Sequence, residues 1–471
     1  MDMDLDSKAC DRARLARDAR FDGRFFIGVT STGIYCRPIC PAPSPKAANV
    51  RYFPSAAAAA EAGFRPCLRC RPEASPGTPA WLGASASVSR ALKLIGESAL
   101  DDGGVERLAE RLGIGSRHLR RLFLRYLGAT PVAVAQTRRV HFAKKLIDET
   151  NLPMTQVAMA AGFGSIRRFN ATFQKLYGRP PGQLRRAAEH ERNGHPAGHY
   201  TFRLGYRPPY HWDALIEFLA ARATPAVETV TSDEYRRTIS LDGRAGTVSV
   251  RPLPAKNCLE LQIQFPDPGA LFRIVERVRR IFDLGADPSE VAGHLMQNAR
   301  LKPLVRAHPG LRVPGCWDGF EIAIRAILGQ QVSVKGATTL AGRLAAEFGQ
   351  PMPEAEGVLF PKPEALASAD LGRIGLTKQR ALSIRELACA VARGDVSFDG
   401  SLDPEQFEKK ITAVPGIGAW TAQYIAMRLG EPDAFPAGDL HLRGFAREAE
   451  AWRPWRAYAA MYLWKNSGER K

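Results

Sequence analysis

Four of the eight cysteines stand in two short-spaced pairs, Cys36 with Cys40 and Cys67 with Cys70. Together they supply four thiolates, which can close a tetrahedron around Zn²⁺. We therefore expect one zinc ion held by these four residues. A metal that only folds a small domain is the simpler interpretation. The remaining cysteines are scattered singly, which favours reduced buried thiols over a disulfide framework. They are Cys10, Cys258, Cys316 and Cys389.

A tight glycine turn near the end of the chain opens an amphipathic helix. Glycine lets the backbone approach a ligand closely, and a helix N-terminus offers free N–H groups to an anion, so the turn predicts a clamp for a DNA phosphate. Asp439 follows in the next loop, where a carboxylate could face the sugar of the bound nucleic acid and assist cleavage of a glycosidic bond. The alternative is an ordinary capped helix and a surface aspartate. The turn consists of Pro415, Gly416, Ile417 and Gly418.

Charge and length narrow the class of protein. The 471 residues suffice for roughly three or four domains. With 66 Lys and Arg against 48 Asp and Glu, the net charge of +18 indicates a polyanionic partner. A ribosomal or membrane-surface protein would also be basic, but 45% hydrophobic residues indicate packed domains. The sequence shows neither a signal peptide nor about 18 consecutive apolar residues. We expect a soluble protein of the bacterial cytoplasm, associated with the nucleoid.

An internal repeat with an offset of 50 residues occupies the segment from about 82 to 190. Each copy contains a short apolar helix, a glycine turn and a serine before a second helix. Ser116 and Ser165 are the predicted N-caps of those second helices. The matched positions are Phe123, Gly128 and Pro131 in the first copy and Phe173, Gly178 and Pro181 in the second.

The second helix of each copy is predicted to bind DNA. Apolar residues at helical spacing turn inward, and a basic face remains outside. Two tandem helix pairs of this kind predict sequence-specific binding to double-stranded DNA, with each second helix in a major groove about one duplex turn apart. The alternative, that these helices only pack against neighbouring modules, is disfavoured by their positive charge. The predicted contact residues are Arg117, Arg120, Arg121, Arg167, Arg168 and Asn170. The predicted inward residues are Leu119, Leu122, Phe123, Ile166, Phe169 and Phe173.

A segment from about 199 to 285 contains four β-rich stretches and two helical ones. The helical stretches are WDALIEFLAARA and PGALFRIVERVRRIFDL. The segment resembles the N-terminal domain of AlkA-type enzymes, which implies a curved sheet with helices. We find no catalytic set of residues in it and expect a scaffold.

Six further stretches resemble three known families. RFDGRFFIGVTSTGIYCRPICPAP and GFRPCLRCRP resemble the N-terminal domain of the Ada adaptive-response regulators. AAGFGSIRRFNATFQKLYGRPP resembles the AraC-type helix-turn-helix signature. The glycine turn with its loop, LRVPGCWDGFEIAIRAILGQQVSVKGA and RPWRAYAAMYLW resemble the helix-hairpin-helix DNA glycosylases of the AlkA type, which excise 3-methyladenine.

The Ada resemblance implies that Cys36 accepts a methyl group from a DNA phosphotriester. Alkylation would make the zinc–thiolate site less negative, which would raise its affinity for DNA. The arginines near the cysteines would then approach the DNA backbone. These are Arg37, Arg65, Arg69 and Arg71.

The glycosylase resemblance makes Asp439 the catalytic residue. Trp420, Tyr424 and Trp464 match its base pocket, although aromatic residues on helices more often belong to a core. Gln330 and Gln331 stand where the family inserts a wedge into DNA. The hairpin carbonyls of this family can hold a monovalent cation.

Two features indicate a monofunctional enzyme that leaves an abasic site. Trp420 occupies the position of the Schiff-base lysine found in strand-nicking relatives. Because no cysteine follows Cys389, the iron–sulfur cluster of some relatives cannot form.

The expected fold is a multidomain α+β protein with four parts. These are a four-cysteine zinc domain (1–78), an all-α double helix-turn-helix domain (82–190), an α/β curved-sheet domain (199–285) and an all-α helix-hairpin-helix glycosylase domain (286–471). We expect a monomer that binds alkylated and promoter DNA and contacts RNA polymerase. The alternative function is a transcriptional activator whose glycosylase-like half binds DNA without catalysis. Methyl transfer from O6-methylguanine is set aside, because its Pro-Cys-His-Arg motif is missing.

Overall fold

The structure is a computed structural model that describes residues 5–76, 86–100, 103–185, 198–352 and 356–469. The chain divides into two compact units. The first comprises Met1–Pro208, Leu253–Glu276 and Leu284–Asp287, and the second comprises Pro209–Pro252, Arg277–Asp283 and Pro288–Lys471. Within the described ranges, no helix combines the length and the apolar character needed to cross a bilayer.

The cysteine-containing segment of the first unit is a small sheet with two helices. The strand order is β3-β1-β2-β4, with β1 antiparallel to β2 and β3, and β4 parallel to β2. Aromatic side chains, including Phe26, Tyr35 and Phe53, fill its core. The elements are α1 (Ser7–Leu15), β1 (Phe26–Val29), β2 (Ile34–Cys36), β3 (Val50–Phe53), α2 (Ala56–Glu61) and β4 (Arg65–Pro66).

The repeated segment forms two helix-turn-helix pairs joined by a long helix. Each second helix ends at a glycine with positive φ, Gly128 (65°) and Gly178 (68°), a conformation that ends helices readily. The elements are α3 (Ala86–Gly96), α4 (Val105–Arg111), α5 (Ser116–Leu127), α6 (Pro131–Glu149), α7 (Met154–Ala160), α8 (Ile166–Tyr177) and α9 (Pro181–Leu184).

Only one of the two predicted N-caps forms. The Ser165 hydroxyl accepts a hydrogen bond from the N–H of Arg168 at 3.2 Å. The prediction for Ser116 is wrong, because α5 begins at Ser116 itself and Gly115 occupies the N-cap position without a side-chain bond. The inward residues were predicted correctly: Leu119, Phe123 and their counterparts are buried, while Leu122 and Ile166 are half-buried.

The β-rich stretches form strands, and the two helical stretches form helices, as predicted. In the first unit, β5 pairs with β9 in antiparallel register from His199 opposite Gln264 to Gly205 opposite Cys258. In the second unit, β6, β7 and β8 form an antiparallel meander. The elements are β5 (His199–Gly205), α10 (Trp212–Ala220), β6 (Glu228–Val230), β7 (Tyr235–Leu241), β8 (Arg244–Leu253), β9 (Cys258–Gln264) and α11 (Leu271–Ile281).

The rest of the second unit is helical and is built around a central helix, α14. Its Ile324, Ile327 and Leu328 are fully buried among side chains of α15, α17 and α19. The described residues therefore have the expected mixed fold, and the last part is helical apart from the short antiparallel pair β10 and β11, which the all-α prediction did not include. The exact domain boundaries stay predictions. The elements are α12 (Pro288–Leu295), α13 (Leu301–Ala307), α14 (Gly319–Leu328), α15 (Val334–Phe348), β10 (Gln350–Pro351), β11 (Val358–Leu359), α16 (Pro363–Ala367), α17 (Lys378–Ala392), α18 (Pro404–Thr412), α19 (Ala419–Arg428) and α20 (Arg456–Glu469).

Candidate metal centre, DNA-binding surfaces and catalytic site

Strand pairing brings the two cysteine pairs together. Ile34 lies opposite Arg65 and Tyr35 opposite Pro66, so the next residues in this parallel register are Cys36 and Cys67. The ligand atoms of all four predicted residues lie within 4.8 Å of one another. A tetrahedron with Zn–S bonds of about 2.3 Å has edges of about 3.8 Å, so the four thiols fit a zinc ion.

The two pairs differ in access to solvent. Cys67 and Cys70 are buried, whereas Cys36 and Cys40 are half-buried. The backbone N–H of Arg37 donates to the Cys70 Sγ at 3.3 Å. Such donors stabilise negative charge on a thiolate. Cys36, the predicted methyl acceptor, is thus one of the two half-buried, more accessible ligands.

The arginines beside the cysteines are not all available to DNA. Arg37 is buried and forms a salt bridge with Asp22, and Arg71 is held in ion pairs that include Asp148 at 2.9 Å. Because these guanidinium groups already neutralise carboxylates of the protein, their predicted approach to DNA requires these ion pairs to open, and it stays a prediction. Arg65 and Arg69 are exposed.

The predicted DNA-contact residues of both recognition helices lie on exposed faces. The two copies differ in their local contacts, since Arg120 donates to Glu106 at 2.9 Å and Arg121 to His118 at 2.9 Å. The structure exposes Arg117, Arg120, Arg121, Arg167, Arg168 and Asn170.

The predicted glycine turn stands between α18 and α19. Gly416 has a φ of +82°, and a Cβ there would lie 2.0 Å from the Ser383 Oγ, so only glycine fits. Ile417 is buried and anchors the turn, while Pro415, Gly416 and Gly418 are exposed. The backbone of the turn therefore faces solvent, as a clamp for phosphate requires.

The two glutamines after α14 have different environments. Gln330 Nε2 donates to the Gly416 carbonyl at 2.9 Å and to Thr421 Oγ1 at 3.1 Å, which ties Gln330 to the turn. Gln331 is exposed and has a φ of +55°. That backbone conformation is uncommon for a residue other than glycine and often marks a functional position.

Asp439 is half-buried in the loop after α19, and one of its oxygens is fixed. Oδ1 accepts hydrogen bonds from Trp464 Nε1 at 3.0 Å and from the His441 N–H at 2.9 Å. Among the described residues both donors go to Oδ1, which leaves Oδ2 for another partner. A Cβ at Gly438 would lie 3.3 Å from the Trp420 Cβ, so the loop also packs closely against that residue.

The three predicted pocket aromatics lie together beside this carboxylate. The Trp420 and Tyr424 rings are stacked with centroids 5.8 Å apart, and Tyr424 and Trp464 are 6.4 Å apart. Phe218 of α10 stacks on Trp464 at 6.4 Å. The indole N–H of Trp420 is buried without an acceptor in the described ranges. The site thus combines electron-rich ring faces, an unsatisfied donor and a fixed carboxylate.

Two arginines that sequence reasoning missed support the aromatic group. Arg428 Nη1 donates to the Tyr424 hydroxyl at 3.0 Å, and the Arg222 guanidinium lies 3.8 Å from the centroid of the Phe218 ring. Burial raises the pKa of Tyr424, but the charges of Arg428, Arg222 and Arg325 outweigh it, so this pKa lies below its usual value. Nothing in the local sequence marks Phe218 or its neighbour Arg222, because Trp464, on which Phe218 stacks, lies on a helix near the other end of the unit's sequence.

Four family profiles match the chain in succession. Residues 9–73 match the metal binding domain of Ada, and residues 108–187 match a helix-turn-helix domain. Residues 201–318 match the AlkA N-terminal domain, and residues 324–465 match the HhH-GPD superfamily base excision DNA repair protein.

One relative described below matches almost the whole chain, and two others match one part of it. A "Probable bifunctional transcriptional activator/DNA repair enzyme AlkA" of Mycobacterium tuberculosis is 43% identical over 98% of this chain and 96% of the relative. "DNA-3-methyladenine glycosylase 2" of Escherichia coli is 36% identical over 57% of this chain and 98% of the relative. "Bifunctional transcriptional activator/DNA repair enzyme AdaA" of Bacillus subtilis is 33% identical over 38% of this chain and 83% of the relative. The chain belongs to the family of bifunctional AlkA-type transcriptional activators and DNA repair enzymes.

Proposed function

We propose that the chain is a monofunctional DNA glycosylase that excises alkylated purines such as 3-methyladenine, of the DNA-3-methyladenine glycosylase II type. We propose further that its first half activates transcription after Cys36 has taken a methyl group from a DNA phosphotriester. The observation that carries the repair proposal is the Asp439 carboxylate, oriented by Trp464 within a group of aromatic rings. An inert scaffold has no need for this arrangement.

Asp439 supplies the negative charge that the reaction requires. As the bond between C1′ and the base nitrogen breaks, its electrons leave with the base, and the sugar gains oxocarbenium character. Oδ2 of Asp439 stabilises this positive charge, because Oδ1 is already occupied by Trp464 and His441. Water then adds at C1′ and leaves an abasic site. Since Trp420 replaces a Schiff-base lysine, the strand is not cut at this position.

The aromatic rings select the base. An alkylated purine such as 3-methyladenine carries a positive charge, which the faces of Trp420, Tyr424 and Trp464 attract. The buried N–H of Trp420 lacks an acceptor in the described ranges, and leaving a buried donor unpaired costs free energy. An acceptor on the flipped nucleotide would recover that energy.

The glycine turn and Gln331 hold the DNA in the proposed complex. The N–H groups of the exposed Gly416 and Gly418 bind a backbone phosphate, and a monovalent cation at the carbonyls of the turn would add positive charge there. Base flipping leaves a gap that a side chain must fill. Gln331 suits this role because it is exposed, whereas Gln330 is bound to the turn.

The regulator half reacts once at Cys36. Its sulfur attacks the methyl carbon of the phosphotriester; the new S–C bond forms as the O–C bond breaks, and a phosphodiester anion leaves. Bound zinc keeps the thiol deprotonated and nucleophilic at neutral pH. Four zinc-bound thiolates carry about −2 in total, and methylation of one changes this to about −1, which weakens repulsion of DNA phosphates. The exposed Arg65 and Arg69 are placed to benefit from the change.

Further partners follow from the regulatory role. We propose that a single chain, acting as a monomer at the nucleoid in the bacterial cytoplasm, binds promoter DNA through both recognition helices and contacts RNA polymerase.

The repair proposal is tested by release of 3-methyladenine from methylated DNA. The full-length chain should release the base, and Asp439→Asn should not, while both bind promoter DNA equally. Asp395→Asn is the matched control, because Asp395 is an exposed aspartate paired only locally with Arg393. If wild type and Asp439→Asn are both inactive while promoter binding persists, the chain is an activator with an inert glycosylase-like half.

Methyl transfer is tested by mass spectrometry of zinc-loaded protein after exposure to DNA that carries methyl phosphotriesters. One methyl group should be found on Cys36, and promoter affinity should rise. Methylation without any change in affinity would contradict the electrostatic part of the proposal, and an unmodified Cys36 would contradict the methyl transfer itself.

A further inference from the structure

The segment that follows the last cysteine ligand is clamped to the end of helix α6. Arg71, directly after Cys70, has a φ of +53°. Its guanidinium group forms ion pairs with Asp148 at 2.9 Å and with Glu149 at 3.3 Å, both on the last turn of α6. The segment next to Cys70 therefore shares the Asp148 and Glu149 carboxylates with Lys144 and Lys145 of the same helix.

A second contact joins the cysteine segment to the same helix. Tyr35, the neighbour of Cys36, is buried, and its hydroxyl shares a hydrogen bond of 2.9 Å with Nε2 of His141 on α6. Two different ligand-bearing segments, at Cys36 and at Cys70, thus contact one helix. Movement at either segment changes the surroundings of α6.

Side chains at the end of α6 contact β5, the first strand of the repair half, which comprises the described residues from 198 onward. Lys145 Nζ donates to the Arg203 carbonyl of β5 at 2.5 Å, and Glu149 Oε2 accepts from the Arg203 N–H at 3.3 Å. Lys145 and Glu149 also form an ion pair of 2.9 Å. The strand pairs with β9 along its other edge. Side chains of α6 therefore satisfy backbone groups that an edge strand would otherwise leave open.

Apolar packing and close backbone approach accompany these polar contacts. Phe142 of α6 lies 6.3 Å from Phe202 of β5 and 5.0 Å from Phe272 of α11. A Cβ at Gly205 would stand 2.8 Å from the Ala74 carbonyl oxygen, so the end of β5 approaches the backbone that follows the cysteines. Phe202, Gly205 and Phe272 lie in the segment that matches the AlkA N-terminal domain, whereas Phe142 and Ala74 precede it.

Arg71, Lys144, Lys145, Asp148 and Glu149 form a network of ion pairs, and several of these charged side chains are almost fully buried. The Lys144 and Lys145 side chains are only 3% and 8% exposed, and the Asp148 side chain 2%. Removing one partner leaves another charge buried without compensation, which is strongly unfavourable. The network should therefore be either fully formed or lost as a group.

We propose that residues 71–76 and the end of α6 form a docking surface for strand β5. Through this surface, the order of β5 depends on the metal-bound fold of the cysteine cluster. Through it, a change at the cluster reaches the repair half by way of Arg71, Glu149 and the backbone of Arg203. This inference goes beyond the proposed function, because neither glycosylase nor activator chemistry requires the two halves to be coupled.

Hydrogen–deuterium exchange of the full-length, zinc-loaded chain tests the coupling. After zinc is removed with a chelator, peptides that cover β5 should exchange about tenfold faster, because opening of the network exposes their amides. Peptides that cover β7 should keep their rates, which shows that the chain has not unfolded as a whole. If peptides of β1 to β3 lose protection while β5 keeps its original rate, the proposal is overturned.

A substitution at Glu149 distinguishes coupling through the ion-pair network from general destabilisation of the chain. Zinc-loaded Glu149→Gln should retain its metal but exchange several-fold faster in β5, because the amide cannot neutralise Lys145 and Arg71. Glu364→Gln, at an exposed position in the first turn of α16, is the matched control and should behave like wild type. Gly205→Ala should loosen β5 in the same way through its clash with Ala74. The proposal fails if Glu149→Gln and Gly205→Ala both exchange like the control.

Discussion

The cysteine cluster and the Asp439 site differ in how far apart in sequence their components lie. The four thiols come from 35 consecutive residues, and the register of two neighbouring strands sets their positions. The Asp439 site draws Phe218 from α10, two aromatic residues from α19 and Trp464 from α20. One site is local and depends on a metal, while the other depends on the packing of a whole unit.

This difference determines how each site should respond to mutation. Because four ligands share one ion, loss of any one should abolish metal binding and the fold around it. The Asp439 site has several supporting contacts with separate functions, so its supporting residues should give graded effects. The following predictions test this contrast.

The largest effect should come from Cys70→Ser. The serine hydroxyl is a poor zinc ligand, and binding of a structural zinc ion contributes about 10 to 16 kcal/mol to small domains at neutral pH. We expect loss of the metal and unfolding of residues 5–76, measured by elemental analysis and by limited proteolysis. Cys389→Ser is the control, since Cys389 lies far outside the cluster in sequence. Retention of stoichiometric zinc by Cys70→Ser would contradict a four-ligand site.

A smaller effect on stability is expected at Asp283, which supports α20, the helix that carries Trp464. Asp283 accepts a hydrogen bond from Tyr458 of α20 at 2.8 Å, and burial raises its pKa to about 6 despite the opposing charge of Arg312. Because this pKa exceeds the unfolded value of about 3.9, the stabilisation from the protonated carboxyl is complete below pH 4 and is lost as the pH rises through 6. The loss is at most about 3 kcal/mol.

Asp283→Asn removes this titration and keeps the shape of the side chain. Its free energy of unfolding should vary less between pH 4 and pH 7 than that of the wild type, as measured by urea denaturation. Parallel pH profiles for the two proteins would show that Asp283 does not titrate in this range.

Loss of the hydrogen bond that orients the Asp439 carboxylate should have an effect of about 1.4 kcal/mol. Trp464→Phe keeps an aromatic face but removes the donor to Asp439 Oδ1. A hydrogen bond to a charged acceptor contributes about 1.5 to 3 kcal/mol, and part of this remains through the His441 N–H. We expect about a tenfold slower single-turnover excision with little change in affinity for DNA. An unchanged rate would mean that Trp464 acts only through its ring.

The smallest effect compares the two helix-turn-helix copies. Ser165→Ala removes a real N-cap and should lower the free energy of unfolding by about 1 kcal/mol. Ser116→Ala should change it little, because Ser116 forms no cap. Thermal unfolding of both variants measures the difference. Equal losses would show that Ser116 stabilises its helix as much as Ser165 does.

Local patterns predicted the features whose determinants are close in sequence. The cysteine spacing, the glycine turn and the repeated helix pairs each depend on residues within one or two elements, so their signals are visible in the chain. The buried state of Arg37 was missed because its partner, Asp22, lies on a different loop. The prediction failed at Ser116 because, with the offset of 50 residues, the counterpart of Ser165 is Gly115, and Ser116 stands one position later, inside the helix.

Other parts of the Asp439 site could not be predicted from local sequence. Arg428 looks like an ordinary C-terminal helix cation, yet it is buried and donates to Tyr424 and to the carbonyl groups of Pro314 and Gly315. Phe218 belongs to the apolar face of α10, where any large residue fits the pattern. Their functions arise only when distant elements pack together, and no spacing rule describes that event.

The central claim is that the Asp439 carboxylate stabilises the sugar as the base leaves. The most direct measurement is the single-turnover rate of 3-methyladenine release by saturating Asp439→Asn, together with its affinity for abasic DNA. We predict that the rate falls at least a hundredfold, as expected when a group that stabilises transition-state charge is lost, while affinity stays within a few-fold of wild type. A rate within tenfold of the Asp395→Asn control would contradict the claim.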